Sequence, residues 1–190
     1  MFRNSPATTV TVTTCLALSS FFIAVTGCSQ GCYPTSQADL MVGKPAPDIN
    51  APILDGGRFD LSAHRGENIV VLDFWASWCG PCRRVLPIVV DVTAKYEDQG
   101  VKLFAVNCGE AVDEINAYLE ESELDFPVIL DESGSIRNNY QVEGIPQSFI
   151  IGKDGIIQAS HTGIHPGLEN TLDNELQQLV SGSSLVEKGN

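Results

Sequence analysis

The chain has 190 residues, 43% of them hydrophobic and 18% charged, which is the composition of a globular protein about one domain long. Eleven Lys plus Arg against 24 Asp plus Glu give a formal charge of −13, which argues against nucleic acid as a partner and against docking on anionic lipid by charge alone. Six cysteines are too few and too unevenly spaced for a disulfide-framework scaffold.

Residues 15–27 carry no charge. This apolar run falls short of the ~20 residues a membrane helix needs. It fits the core of a secretory signal, ~7–15 residues long, with Arg3 as the only preceding cation. Val25-Thr26-Gly27-Cys28 at its end resembles the bacterial lipobox, in which the signal is cut before a cysteine that then receives acyl chains. An ordinary signal peptide cleaved nearby is the alternative. Several acyl chains on Cys28 would anchor the protein firmly, whereas a single chain binds only marginally. The expected order is therefore a signal over 1–27, a polar, turn-rich tether over 28–40, a folded domain over 41–181 and a flexible tail over 182–190. The expected location is the cell envelope, lipid-anchored to a bacterial membrane and facing the periplasm or exterior.

Within the domain, Asp55-Gly56-Gly57 signals a hairpin in residues 48–61. Residues 69–75 form a near-continuous apolar, β-branched run, as expected of a strand buried on both faces. Residues 80–99 fit a helix that Pro87 should bend by removing a backbone donor. A second buried strand follows over 102–107, then a helix over 111–121 with Val112, Ile115 and Leu119 at helical spacing, and a short strand over 126–130. Residues 148–159 read as a hairpin turning at Gly152-Lys153-Asp154-Gly155. Leu168, Leu172, Leu176 and Leu179 mark a final amphipathic helix over 168–180. This order predicts an α/β domain: a central mixed sheet flanked by helices, preceded by a β-hairpin.

The chemistry is concentrated in Trp78-Cys79-Gly80-Pro81-Cys82, where a buried strand gives way to a helix. A cysteine at a helix start meets unsatisfied N–H groups and the positive end of the dipole, which favour its thiolate. Thiolate is the nucleophile of disulfide exchange. A second cysteine three residues on lies one turn along the same face and can close a disulfide. Gly80 and Pro81 keep the turn compact. A zinc site would need two more ligands, and no second Cys-x-x-Cys exists. Haem attachment would need His at position 83, which is Arg. An inert structural disulfide is the remaining alternative.

Residues 73–82, Asp-Phe-Trp-Ala-Ser-Trp-Cys-Gly-Pro-Cys, are similar to the active-site segment of thioredoxins. Gly144-Ile145-Pro146 resembles that superfamily's cis-proline loop, and Pro87 its helix-bending proline. Residues 42–47, 54–57 and 61–66 look like the N-terminal part of the TlpA/ResA branch, shared with AhpC/TSA peroxiredoxins. The surplus helix and strand between Asn107 and Pro146 also resemble that branch, as a central helix–strand insertion. In two places the chain departs from it. Val85 stands where the ResA subgroup carries an acid, and Asp73 stands where many TlpA-like proteins have asparagine.

The resemblance implies Cys79 as the attacking thiol and Cys82 as the resolving one. Asp73, inside an apolar run, would be buried with a raised pKa and would exchange protons with Cys82; a solvated aspartate near the strand end is the alternative. Ile145-Pro146 would expose backbone to an extended client strand, with Trp78, Gly80 and Pro81 lining the contact. Trp75 and Trp78 read as core and rim. Cys108 reads as a semi-buried thiol, and Cys32 has no assigned role. His161 and His165 are four apart, but Gly163 and Pro166 argue against a helix holding a metal there. Residues 110–132 hold nine acids and no Lys or Arg, a solvated face or one that excludes acidic partners.

The function expected is a membrane-anchored thiol-disulfide oxidoreductase that reduces protein disulfides without a cofactor. Its partners would be disulfide-bearing clients and an upstream membrane thiol donor. Two alternatives stand beside it. A thiol peroxidase of the AhpC/TSA type would resemble a Pro-x-x-x-Thr-x-x-Cys loop, where this chain has Leu72 and Ala76. A non-catalytic copper carrier would use Cys79, Cys82 and a histidine.

Overall fold

The computed structural model describes residues 36–186. The signal segment, Cys28, Cys32, the tether up to residue 35 and residues 187–190 lie outside the described residues. Among those described, no helix is long and apolar enough to cross a membrane.

Five strands form the central sheet in the order β5 (Val128–Leu130), β4 (Val101–Asn107), β3 (Ile69–Trp75), β6 (Gln147–Ile151), β7 (Ile157–Thr162). β3 pairs in parallel with β4, which pairs in parallel with β5; on the other side β6 pairs antiparallel with β3, and β7 antiparallel with β6. All seven residues of β3 are buried, which is why its sequence does not alternate. A separate two-stranded hairpin, β1 (Asn50–Pro52) and β2 (Arg58–Asp60), precedes the sheet. Backbone contacts close both outer strands. Ile53 bridges to Ile129 on β5, and Gly43 donates its N–H to Ile157 on β7 at 2.8 Å. Covered edges protect a sheet from pairing with other chains.

The odd and even positions of β3 supply two cores. Val70, Leu72 and Phe74 pack with Phe59 and Leu61 of the hairpin region and with Ile136 and Tyr140 around α3 (Ser135–Asn139). Ile69 and Val71 face α1 (Cys82–Ala94) and α4 (Leu168–Val180) through Val85, Val89, Leu172 and Leu176. On that second face, at the C-terminal end of the strands, Trp75, Cys82 and Leu86 cluster with Ile115 and Tyr118 of α2 (Val112–Ser122).

The structure differs from the sequence reading at several boundaries. The helix expected over 80–99 ends at Ala94, and a separate 3-10 turn spans Glu97–Gln99 before Gly100 at φ 87°. The strand expected from residue 126 begins at Val128, because Pro127 has no N–H for the ladder. α3 was not anticipated. Packing begins before residue 41, since Ala38 and Met41 join the first core. Beyond residue 181, Leu185 packs against the second core and donates its N–H to Gln158 Oε1 at 3.0 Å.

Candidate active site

Cys79 and Cys82 are joined by a disulfide at the C-terminal end of β3, with Cys82 opening α1. Cys79 is 4% exposed and Cys82 is fully buried, so a partner meets Cys79 first. The Cys82 N–H points at Cys79 Sγ from 3.2 Å. An amide aimed at that sulfur favours a thiolate there once the bond is reduced. Cys79 Sγ also lies 3.7 Å from the carbonyl oxygen of Ile145, and the Ile145–Pro146 bond is cis. Residues 66 apart along the chain are thus brought to one spot by the β3–β6 pairing.

Around the disulfide the surface is mixed. Trp78 is 70% exposed, while Trp75 is buried against Tyr118 and Phe126 at ring separations of 5.1 and 5.8 Å. Gly80 and Pro81 are exposed, Ile145 half-buried and Pro146 buried. A Cβ placed on Gly80 would meet no heavy atom within 4 Å. Pro146 accepts a hydrogen bond from the Gly163 N–H at 2.8 Å, which braces the proline loop from the β7–α4 connection. Arg83, just past the pair, lies over the Tyr118 ring and 2.6 Å from Glu121.

Asp73 lies within β3, two residues before Trp75. It is fully buried, with Oδ1 accepting a 2.5 Å hydrogen bond from Ser148 Oγ. Oδ2 has no hydrogen-bond partner among the described residues. Burial pushes the carboxyl up to about 7, and the Ser148 bond pulls in the opposite direction. Asp73 is flanked by Ala105 across the sheet and Trp75 along the strand, and both cluster with Cys82.

Two features of the site were not read from the sequence. One is Ser148. The other is a clamp on the reactive loop by Glu110, a nearly buried acid at the start of the β4–α2 crossover. Glu110 Oε2 accepts from the Ser77 N–H and from Asn107 Nδ2, both at 2.7 Å, and Oε1 accepts from the Ser77 hydroxyl. Asn107 Oδ1 in turn accepts the Glu110 N–H at 3.1 Å. The nine-acid stretch therefore has two buried members, Glu110 and Asp131.

Cys108 is half-buried on the hairpin side of the sheet, and burial pushes its thiol up to about 12. His161 Nε2 lies 2.7 Å from Glu175 Oε2, and His165 is exposed. Among the described residues, no group of three or more His, Cys, Asp or Glu is placed to hold a metal.

Residues 42–160 match the profile of the AhpC/TSA family. Thiol-disulfide oxidoreductase ResA of Geobacillus kaustophilus is 36% identical over 129 residues, covering 68% of this chain and 74% of that protein. Thioredoxin-like protein YneN of Bacillus subtilis is 31% identical over 134 residues, covering 69% and 77%. Among solved structures, a DsbE-like thiol:disulfide interchange protein from Chlorobium tepidum superposes with a TM-score of 0.68 at 34% identity. That match covers 73% of this chain and 97% of the other.

Proposed function

Because this chain belongs to the AhpC/TSA family, as a thioredoxin-fold thiol-disulfide oxidoreductase, we propose that it reduces disulfides of other proteins through the Cys79/Cys82 dithiol. We place it outside the cytoplasm, anchored by acyl chains on Cys28 and re-reduced by a membrane thiol donor. One observation carries the catalytic reading: the disulfide opens a helix, with Cys79 at the surface side, Cys82 behind it and the Ile145 carbonyl beside the reactive sulfur.

In the reduced protein the Cys79 thiolate attacks a client disulfide. That S–S bond breaks, a mixed disulfide forms, and one client thiolate leaves. The Ile145 backbone and exposed Trp78 hold the client segment at that point. Asp73, ionised, takes the proton of Cys82, whose thiolate then attacks Cys79 Sγ. The mixed disulfide breaks, the second client sulfur leaves with a proton, and two electrons have passed from the dithiol to the client. Asp73 suits this task because a carboxyl near pH 7 both accepts and releases a proton in the working range.

The direction of electron flow is tested by the reduction potential. Strongly oxidising relatives carry a His between the cysteines, and this chain has Gly80 and Pro81. Without that donor the thiolate is less stabilised, so the disulfide is the weaker oxidant. Equilibration against a dithiothreitol series should give a value nearer about −270 mV than about −120 mV. A value above about −180 mV would reverse the proposed direction. The anchor is tested separately: Cys28→Ala should abolish incorporation of labelled fatty acid, and persistent label would remove that part of the proposal.

A further inference from the structure

A polar row crosses the sheet beneath the helices. Asp73 on β3 pairs in register with Ser148 on β6, and Ser148 with His161 on β7. Ser148 is 2% exposed, and its hydroxyl donates to Asp73 Oδ1 at 2.5 Å. No other side-chain hydrogen bond to Asp73 occurs among the described residues, and Oδ2 is left bare.

A buried carboxyl with no donor stays protonated and is useless as a base. One that receives two or three hydrogen bonds stays ionised and cannot hold a proton. A single donor on a single oxygen lies between these limits, and it makes the two oxygens inequivalent. The remaining surroundings do not supply a second donor. Ala105, the β4 partner, carries no polar side chain. Cys82 comes from α1, and Cys108 lies at the end of β4 as a neutral thiol. His161, beyond Ser148, is engaged by Glu175 of α4 at 2.7 Å.

We propose that Ser148 is the positioning residue of this proton exchange: its bond to Oδ1 fixes the Asp73 carboxyl and supports its ionised form, leaving Oδ2 to take the proton of Cys82. The inference rests on the reading of Asp73 as the base for Cys82 given above, and the two are separable by experiment.

The Asp73 carboxyl is followed by 13C NMR against pH in the oxidised full chain, in wild type, Ser148→Ala, Ser148→Val and Ser148→Thr. Loss of the hydroxyl in Ala and Val should raise the Asp73 pKa by about 1–2, and Thr should restore it. Resolution of a mixed disulfide by the reduced protein is then timed against pH. Its midpoint should move up with the carboxyl in Ala and Val, while alkylation of Cys79 stays unchanged. Two hydroxyl-free variants of different size keep the test alive if one fails to fold. An Asp73 pKa unmoved in a folded Ala or Val variant overturns the role of Ser148. A moved pKa with an unmoved resolution profile, and normal resolution by Asp73→Asn, overturns the base reading on which the proposal stands.

Discussion

Replacing Asp73 by Asn should stabilise the oxidised protein, and by an amount that depends on pH in a defined way. The folded carboxyl is raised from 3.8 to about 7 because it is fully buried with one hydrogen bond. The folded state therefore binds the extra proton between those values, and the unfolded state does not. Stability of the parent chain should fall as pH rises through that window. Below pH 3.8 both states are protonated and no penalty exists. Above 7 the shift of about 3 costs roughly 4 kcal/mol. Asn is neutral throughout and its carbonyl can keep the Ser148 bond, so only the charge is removed. Urea unfolding of both oxidised proteins at several pH values between 3.5 and 8.5 gives the difference curve, in which every unaltered group cancels. The difference should grow by roughly 4 kcal/mol from the acidic to the alkaline end, with any constant offset reporting the packing of the amide. A flat difference curve would show that Asp73 ionises normally in the fold, and both the base assignment and the role of Ser148 would fall with it.

Glu110→Ala leaves the Ser77 and Asn107 donors without their acceptor, and should cost about 3 kcal/mol, with faster proteolysis in the reactive loop; an unfolding midpoint equal to the parent's would remove the clamp. In the reduced protein at mildly acidic pH, alkylation and peptide mapping should find Cys79 modified before Cys82, and earlier labelling of Cys82 would exchange their roles. Cys108, pushed up to about 12 by burial, should stay unmodified at pH 8 until the chain is unfolded; labelling at the rate of an exposed thiol would contradict that environment. Trp78→Ala should leave stability within about 0.5 kcal/mol, since the side chain is largely in water, while raising KM for a protein client.

Much of this site is written in short stretches of sequence. β3 was legible because a strand buried on both faces needs seven apolar-tolerant positions in a row, and a lone aspartate in such a run stands out. α4 was legible to the residue because its leucines repeat at helical spacing. α3 was not, since five residues hold no full period; it is preceded by Gly134 in a left-handed conformation, with Asp131 accepting the N–H groups of Ile136 and Arg137. Ser148 and Glu110 were invisible for a different reason. Their partners lie 75 and 33 residues away, and a serine in a strand or a glutamate among eight other acids carries no local signal. Only the strand register and the crossover bring them to the cysteines.

The free space around Gly80 bears on how such a protein diversifies. The reactive loop is secured upstream at Ser77 and downstream by the body of α1, whereas the two positions between the cysteines face solvent. Gly80 has no left-handed backbone to preserve and no neighbour to displace. The dipeptide is therefore an interchangeable part, open to substitution without repacking the core. A lineage could retune the electron affinity of the cysteine pair there in one or two mutational steps, keeping the sheet, Asp73 and the cis-proline loop as inherited.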